Sequence, residues 1–297
     1  MSKQVAGTAM TENKRLSFEF FPPKTEAGLN KLAVTRTELA QLQPAFFSVT
    51  YGAGGSTREP TRNAVMAIRD AGCAVAPHLS FGDDGEESVL QLLQEYRDAG
   101  INRIVALRGD LPSGMGITRM VYASELVAFI RRHFGQHFHI EVAAYPEIHP
   151  EATTYDSDLQ FLKKKLEAGA NTVITQYFYN ADAYCWFVER CRAIGIDAPI
   201  YPGIMPITNY PNLARFSAKC GAEIPRWMAQ QLESYGDDQQ SVAAFGIDVV
   251  SRLCERLLDE GAPGMHFYTM NQAEPTTTIC HNIGFELVTP TSAPAIA

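Results

Sequence analysis

One short signature recurs along the chain. A run with apolar residues at helical spacing ends in a glycine, two to five residues follow, and a β-branched or aromatic segment begins. It occurs as Asp70-Ala71-Gly72 before Ala74-Val75-Ala76-Pro77-His78 and as Asp98-Ala99-Gly100 before Arg103-Ile104-Val105-Ala106-Leu107. It recurs at Glu167-Ala168-Gly169 before Thr172, at Ala193-Ile194-Gly195 before Pro199, and at Asp259-Glu260-Gly261 before Met265. Glycine just past a helix accepts the left-handed conformation that ends it, so each copy is a stop signal with a mechanism. Segments 16–21, 46–51 and 139–145 carry the strand pattern without that glycine. Together these make eight strands alternating with helices, which predicts a single-domain α/β (β/α)8 TIM barrel over residues 16–287. Residues 1–15 and 288–297 read as flexible ends. The stretch between Gly203 and His266 is too long for one unit and predicts extra helices near strand 7, over 211–219, 227–232 and 238–260. An open dinucleotide-binding sheet is disfavoured, because Gly52-Ala53-Gly54-Gly55-Ser56-Thr57 lacks the third glycine of that turn.

Composition bounds the partners. A net charge of -8 without a long basic run argues against nucleic acid or an anionic membrane surface, so an anionic ligand must be met by local cations. The polar first fifteen residues hold no signal core and no later run is long enough to span a bilayer, which predicts a cytoplasmic protein. Six cysteines without C-x-x-C spacing read as reduced, structural thiols.

In a barrel the C-terminal strand ends converge on one rim, where such folds carry their chemistry. The residues arriving there are Glu19, Thr50 and Tyr51, His78, Arg108 and Asp110, Tyr145 with His149, Gln176, and Tyr268 with Asn271 and Gln272. The junction Ile104 to Pro112 runs from a buried strand straight into a cation, a glycine, an acid and a proline. Period-two alternation puts Ser17, Glu19 and Phe21 on one strand face and Phe18 and Phe20 on the other. A carboxylate beside phenylalanines near a barrel axis should be poorly hydrated and its pKa raised, which suits a general acid. The competing reading pairs Glu19 with a cation such as Arg108. His78, His149 and His266 admit a metal-dependent hydrolase, although no H-x-H pair occurs. Tyr51, Tyr145, Tyr177 and Phe178 beside Arg108 suit a planar heterocycle instead, or simply core packing. Lys163-Lys164-Lys165 alone reads as a solvated helix face.

The motifs Ser17-Phe18-Glu19-Phe20-Phe21-Pro22-Pro23, Ser48-Val49-Thr50-Tyr51-Gly52-Ala53, Ala76-Pro77-His78-Leu79, Ala106 to Pro112, Ala143 to Pro150 and His266 to Asn271 together resemble the methylenetetrahydrofolate reductases over residues 16–284. The resemblance is to the short bacterial form. It implies a ping-pong flavoenzyme in which NADH or NADPH, NADH favoured, reduces FAD, and the flavin then reduces 5,10-methylenetetrahydrofolate to 5-methyltetrahydrofolate for methionine synthesis and one-carbon metabolism. It implies catalytic roles for Glu19, as the acid that protonates N10, and for Asp110, beside flavin and pterin. Gln176 and Phe216 would contact folate and nicotinamide in turn, and Thr50 would help seat the nicotinamide. The implied FAD contacts are Tyr51, Ala53, His78, Arg108, Gly109 and Asp110. Further along they continue with Ala123, Tyr145, His149, Ala152, Asp158, Lys164 and Lys165, so two of the three lysines become candidates for the pyrophosphate. Relatives of this kind assemble into homo-oligomers. Lys164 stands where the better-studied relative has arginine, and Phe161 replaces an asparagine near the cofactor. In the folate site Asn212 replaces a glutamine, and Gln272 replaces the arginine that would hold the folate tail. A folate- or flavin-binding module without turnover is the non-enzymatic alternative.

Overall fold

The structure, a computed structural model, describes residues 14–51, 58–81, 85–108 and 122–288. Eight parallel strands close into a barrel in sequence order: β1 Arg15–Phe20, β2 Phe46–Val49, β3 Val75–Leu79, β4 Arg103–Ala106, β5 His139–Ala144, β6 Thr172–Tyr177, β7 Ile200–Ile204 and β8 Gly264–Tyr268. Around them run α1 Glu26–Ala40, α2 Arg58–Asp70, α3 Glu86–Asp98, α4 Ala123–Phe134, α5 Tyr155–Glu167 and α6 Ala181–Ala193. Three helices precede the last strand, α7 Tyr210–Cys220, α8 Arg226–Ser234 and α9 Gln239–Asp259, and α10 Thr276–Asn282 follows it. The barrel and the extra helices near strand 7 match the sequence expectation. All five signature glycines, at 72, 100, 169, 195 and 261, have positive φ. Their repetition marks the helix ends because the left-handed conformation costs glycine little.

Described residues reach into both predicted ends. Arg15 belongs to β1, Lys14 Nζ donates to the Ala262 carbonyl at 2.7 Å, and Val288 N donates to the Gln41 carbonyl at 2.8 Å. The remainder of both predicted flexible ends, 1–13 and 289–297, lies outside the described residues.

Alternation along the strands sorts the side chains into two environments. Phe18 and Phe20 point outward into the layer under the helices, where Phe18 meets Phe47 and Phe267 at 5.9 and 6.0 Å and Phe20 stacks on Phe47 at 5.3 Å. Inside, Phe46, Ala76, Val105 and Ile174 form an apolar waist. Polar residues lie on either side of it, at the starts of strands below and at their ends above.

Closure between the first and last strands fixes what meets Glu19. The β1–β8 pairing sets Ser17 opposite His266 and Glu19 opposite Tyr268. Asn271 locks that seam, its Nδ2 donating to the Phe21 carbonyl at 2.9 Å and its Oδ1 accepting from Phe21 N at 2.8 Å. Gly203 permits a similar close approach on the other side of β8, since a Cβ there would lie 2.0 Å from the Thr175 carbonyl oxygen and 2.7 Å from the Tyr268 ring. That gap lets Tyr268 donate its hydroxyl past β7 to the Thr175 carbonyl of β6, at 2.7 Å.

Candidate active site

Glu19 reaches the upper rim from β1 and is 9% exposed. Its Oε2 lies 3.3 Å from His78 Nε2 and 3.5 Å from His266 Nε2. The His266 contact is aligned as a hydrogen bond, whereas His78 Nε2 is close enough for attraction but has no hydrogen-bond partner among the described residues. Behind it, His266 Nδ1 is 2.8 Å from Ser17 Oγ, and the histidine is completely buried. This geometry corrects two expectations. Burial pushes the Glu19 carboxyl up, as anticipated, but the charge of His78 beside it, the hydrogen bond with His266 and the charge of that second imidazole outweigh it and hold the pKa at about 2. Nor is Arg108 its partner: that guanidinium pairs with the exposed Glu151 at 2.6 Å.

A second feature opens across the same rim. A cavity of about 460 Å³ lies between the ends of β4 and β5 and the N-termini of α4 and α5. It is lined by seven of the expected cofactor contacts, Arg108, Ala123, Tyr145, His149, Ala152, Asp158 and Lys165, and also by Tyr122 and Phe161. Local sequence explains the wall. Thr154 caps α5, its Oγ1 accepting from Ser157 N at 3.1 Å, and Asp158 in the first turn accepts from His149 N at 2.9 Å. His149 packs edge-on against Tyr145, with ring centroids 4.5 Å apart. Lys165 turns its amine inward to the Ala143 carbonyl, and burial lowers its pKa to about 8. Phe161 stacks on Tyr122 at 5.9 Å, and Lys164 Nζ sits 5.1 Å from the Phe161 ring. Position 161 therefore adds an aromatic face to the entrance, where an asparagine was the expected residue.

The other expected positions fall around this rim with differing involvement. Thr50 and His78 are buried at the ends of β2 and β3, and Tyr51 follows them. Ser48 Oγ, Thr50 Oγ1 and His78 Nε2 are buried and find no hydrogen-bond partner among the described residues, a row of polar atoms next to Glu19. Gln176 is half-buried on β6, its Oε1 accepting from Tyr177 N at 3.0 Å. Phe216 is half-buried on α7, which Ser217 Oγ and the Tyr177 hydroxyl fasten to β6 at 3.0 Å. Asn212 and Gln272 are exposed. Ala53, Gly109 and Asp110 lie outside the described residues. Two aromatic candidates do not reach the rim cavity: Phe178 is fully buried against Tyr184, and Tyr177 spends its hydroxyl on α7. Among the described residues no group of three or more His, Cys, Asp and Glu side chains could hold a metal ion, and no helix is long and apolar enough to cross a membrane.

Sequence reasoning missed the lower mouth of the barrel. Glu141 of β5, 1% exposed, is held there by Arg103 of β4 and by the Thr172 hydroxyl of β6. Arg15, His139 and Tyr201 line the same small cavity. Burial drives the Glu141 carboxyl up to about 7 despite Arg103, and burial with the charges of Arg103, Arg131 and Arg15 lowers His139 to about 4. The signal was available, since Arg103 and Glu141 share inward parity with Val105 and Tyr145 on their strands.

Comparison with known proteins agrees with these motifs. The family described as methylenetetrahydrofolate reductase matches residues 4–284. The 5,10-methylenetetrahydrofolate reductase of Escherichia coli (strain K12) is 41% identical over 270 residues, covering 91% of this chain and 90% of that one. Methylenetetrahydrofolate reductase (NADH) 1 of Arabidopsis thaliana is 38% identical over 283 residues, covering 90% of this chain and 48% of that longer protein. Among solved structures, a Clostridium thermocellum protein described as binding two copies of 5-methyl-5,6,7,8-tetrahydrofolic acid superposes with a TM-score of 0.65 at 15% identity, covering 93% of this chain and 96% of that one. At that identity the likeness shows the fold alone. The family match spans nearly the whole chain, and the relatives agree with it at full domain length: the chain belongs to the methylenetetrahydrofolate reductase family of enzymes.

Proposed function

We propose that this chain reduces 5,10-methylenetetrahydrofolate to 5-methyltetrahydrofolate, with FAD as resident cofactor and NADH, in preference to NADPH, as electron donor. The observation that carries the reading is the meeting, on one rim, of a buried carboxylate faced by two histidines and a cavity offering aromatic faces and cations. Arg108, Tyr145, His149 and Lys165 would hold FAD in that cavity, where it would supply the hydride chemistry linking nicotinamide and folate, the two substrates alternating. The cavity fits such a group in size, within the roughly 300–1,000 Å³ of small-molecule sites. It fits in chemistry too. Arg108, Lys165 and the N-terminus of α5 suit a pyrophosphate in an acidic protein, and the Tyr122–Phe161 face suits an adenine.

The remaining work falls to side chains. Glu19 delivers a proton to N10 as the bond between N10 and the methylene carbon breaks and the 5-iminium cation, the hydride acceptor, forms. Asp110 binds the pterin and favours that cation by its charge. Gln176 and Phe216 hold whichever substrate is present, and Thr50, whose hydroxyl finds no partner among the described residues, helps seat the nicotinamide. NADH is preferred on the resemblance and on the name of the plant relative.

An absorbance spectrum of the purified protein, followed by anaerobic NADH, tests cofactor and donor together. A yellow protein that bleaches on NADH and recovers its colour with methylenetetrahydrofolate is the expected result. A protein that stays colourless after incubation with FAD overturns the proposal.

A further inference from the structure

Near the rim the ladder between β6 and β7 slips. Val173 and Ile174 pair regularly with Ile200 and Tyr201, but the next pair joins Tyr177 to Gly203, so three steps along β6 face two along β7. The extra length falls on Thr175 and Gln176, and such a bulge bends its strand and re-aims a side chain it carries. We propose that Tyr268 is a positioning residue for substrate recognition: through the Thr175 carbonyl it holds the bulge that presents the Gln176 amide to folate and to nicotinamide. The proposal rests on the reading that Gln176 meets both substrates.

Two bonds replace regular ladder contacts here. Gly203 N donates to the Thr175 hydroxyl oxygen at 2.9 Å, where a ladder would offer a carbonyl. Tyr268 donates its hydroxyl to the Thr175 carbonyl at 2.7 Å, over a glycine that leaves room for the ring. Thr175 is completely buried, so solvent cannot replace that donor, and losing it would leave the carbonyl unsatisfied. The Tyr268 ring packs edge-on to His266 at 5.4 Å and to Tyr177 at 6.2 Å, which fixes its aim. A phenol has one proton to donate, and Tyr268 gives its own to the backbone. Its influence on a ligand therefore runs through the residue that follows.

That residue is Gln176. Its Oε1 accepts from Tyr177 N at 3.0 Å, and a backbone donor there fixes which end of the amide is oxygen. Tyr145, which lines the cofactor cavity, shares a hydrogen bond with the same amide. An amide offers two donors and two acceptor sites, so a second donor and a second acceptor site remain on it after these bonds. A pterin ring and a nicotinamide carboxamide each present a neighbouring donor and acceptor of the same kind. One amide can serve both in turn, provided that its strand holds it in one orientation.

A double-mutant cycle on the holoprotein decides this. Anaerobic stopped-flow measurement of each half-reaction gives an apparent Kd for NADH and for methylenetetrahydrofolate. Tyr268→Phe should raise both by roughly two- to tenfold, the scale of one neutral hydrogen bond. In a Gln176→Ala background the same substitution should change neither by as much as about twofold. Thr175→Val, which enters the bulge through its other bond, should reproduce the pattern. Losses that multiply in the Gln176→Ala background overturn the proposal, because Tyr268 would then act on the ligand itself. A loss confined to one half-reaction, or an unmoved Kd, overturns it as well. A holoprotein that NADH does not reduce removes the functional reading instead, and hydrogen exchange then decides the positioning. The Tyr177 amide, bonded to Gln176 Oε1, should exchange at least about tenfold faster in Tyr268→Phe, and unchanged protection overturns the positioning role.

Discussion

The two mouths of the barrel each bury a glutamate, and they treat it in opposite ways. At the upper rim Glu19 meets two histidines, one fixed by Ser17, and its pKa falls to about 2. At the lower mouth Glu141 meets Arg103, Thr172 and a His139 that is itself discouraged from charging, and its pKa rises to about 7. Phe46 stands between them, its ring 4.5 Å from the Arg103 guanidinium and 6.1 Å from His266. Burial alone therefore does not decide what a carboxylate does. At the rim the neighbours are imidazoles, and the hydroxyls of Ser48 and Thr50 find no hydrogen-bond partner among the described residues. At the mouth the groups satisfy one another. The comparison suits the first to the proposed chemistry and the second to closure of the barrel floor.

The largest effect that can break this division is at the floor. Arg103→Leu strands a nearly inaccessible carboxylate, which should cost about 3–5 kcal/mol near pH 8. Glu141 has its folded pKa above the ordinary 4.5. Its contribution to stability is therefore fully present below about pH 4.5 and lost as pH rises through about 7. Without Arg103 that pKa climbs further, so the variant should recover much of its loss near pH 5. Denaturant titrations at the two pH values measure this, with folate turnover per folded molecule as companion. A large turnover loss in the folded variant would move the floor into the active site.

Next in size is Glu19→Gln. Folate reduction should fall by at least roughly a hundredfold, the scale of general acid catalysis, while flavin reduction by NADH persists. Stopped-flow measurement of each half-reaction decides it, and equal losses in both would make Glu19 as structural as Glu141.

The sequence made this rim legible and the floor nearly invisible, for a physical reason. Strand ends announce themselves by turn-forming residues such as Gly109 and Pro112, and the helix-stopping glycines set the count of strands. The inward parity of Ser17 and Glu19 also followed from alternation. What alternation cannot supply is register between strands distant in the chain. Glu19 and His266 are 247 positions apart and meet only because β1 pairs with β8 at Ser17 opposite His266. That is why the rise in pKa from burial was foreseen and the stronger pull of the imidazoles was not. Arg103 and Glu141 lie at strand starts, where nothing marks a site, and each reads alone as an ordinary surface charge. Tyr177 and Phe178 show the converse error, since aromatic residues at a strand end serve packing as readily as binding.

The smallest expected effect sharpens the contrast from the open side of the rim. Gln272 is exposed in the turn beyond β8, its backbone N donating to the Thr269 carbonyl at 3.0 Å, next to the Asn271 clamp that holds the seam. Gln272→Arg places a cation there without disturbing that turn, and an anionic folate tail passing over it would form a solvent-exposed pair. Such pairs contribute about 0.2–1 kcal/mol and are screened by salt. The KM for a polyglutamylated folate should therefore fall roughly two- to fivefold in dilute buffer, with kcat unchanged and the gain erased at about 0.5 M salt. Steady-state kinetics at two ionic strengths checks this. A gain well beyond tenfold, or one that survives high salt, would mean that a charge at this edge is sheltered as Arg103 is. Solvent exposure would then no longer separate the working rim from the closed floor.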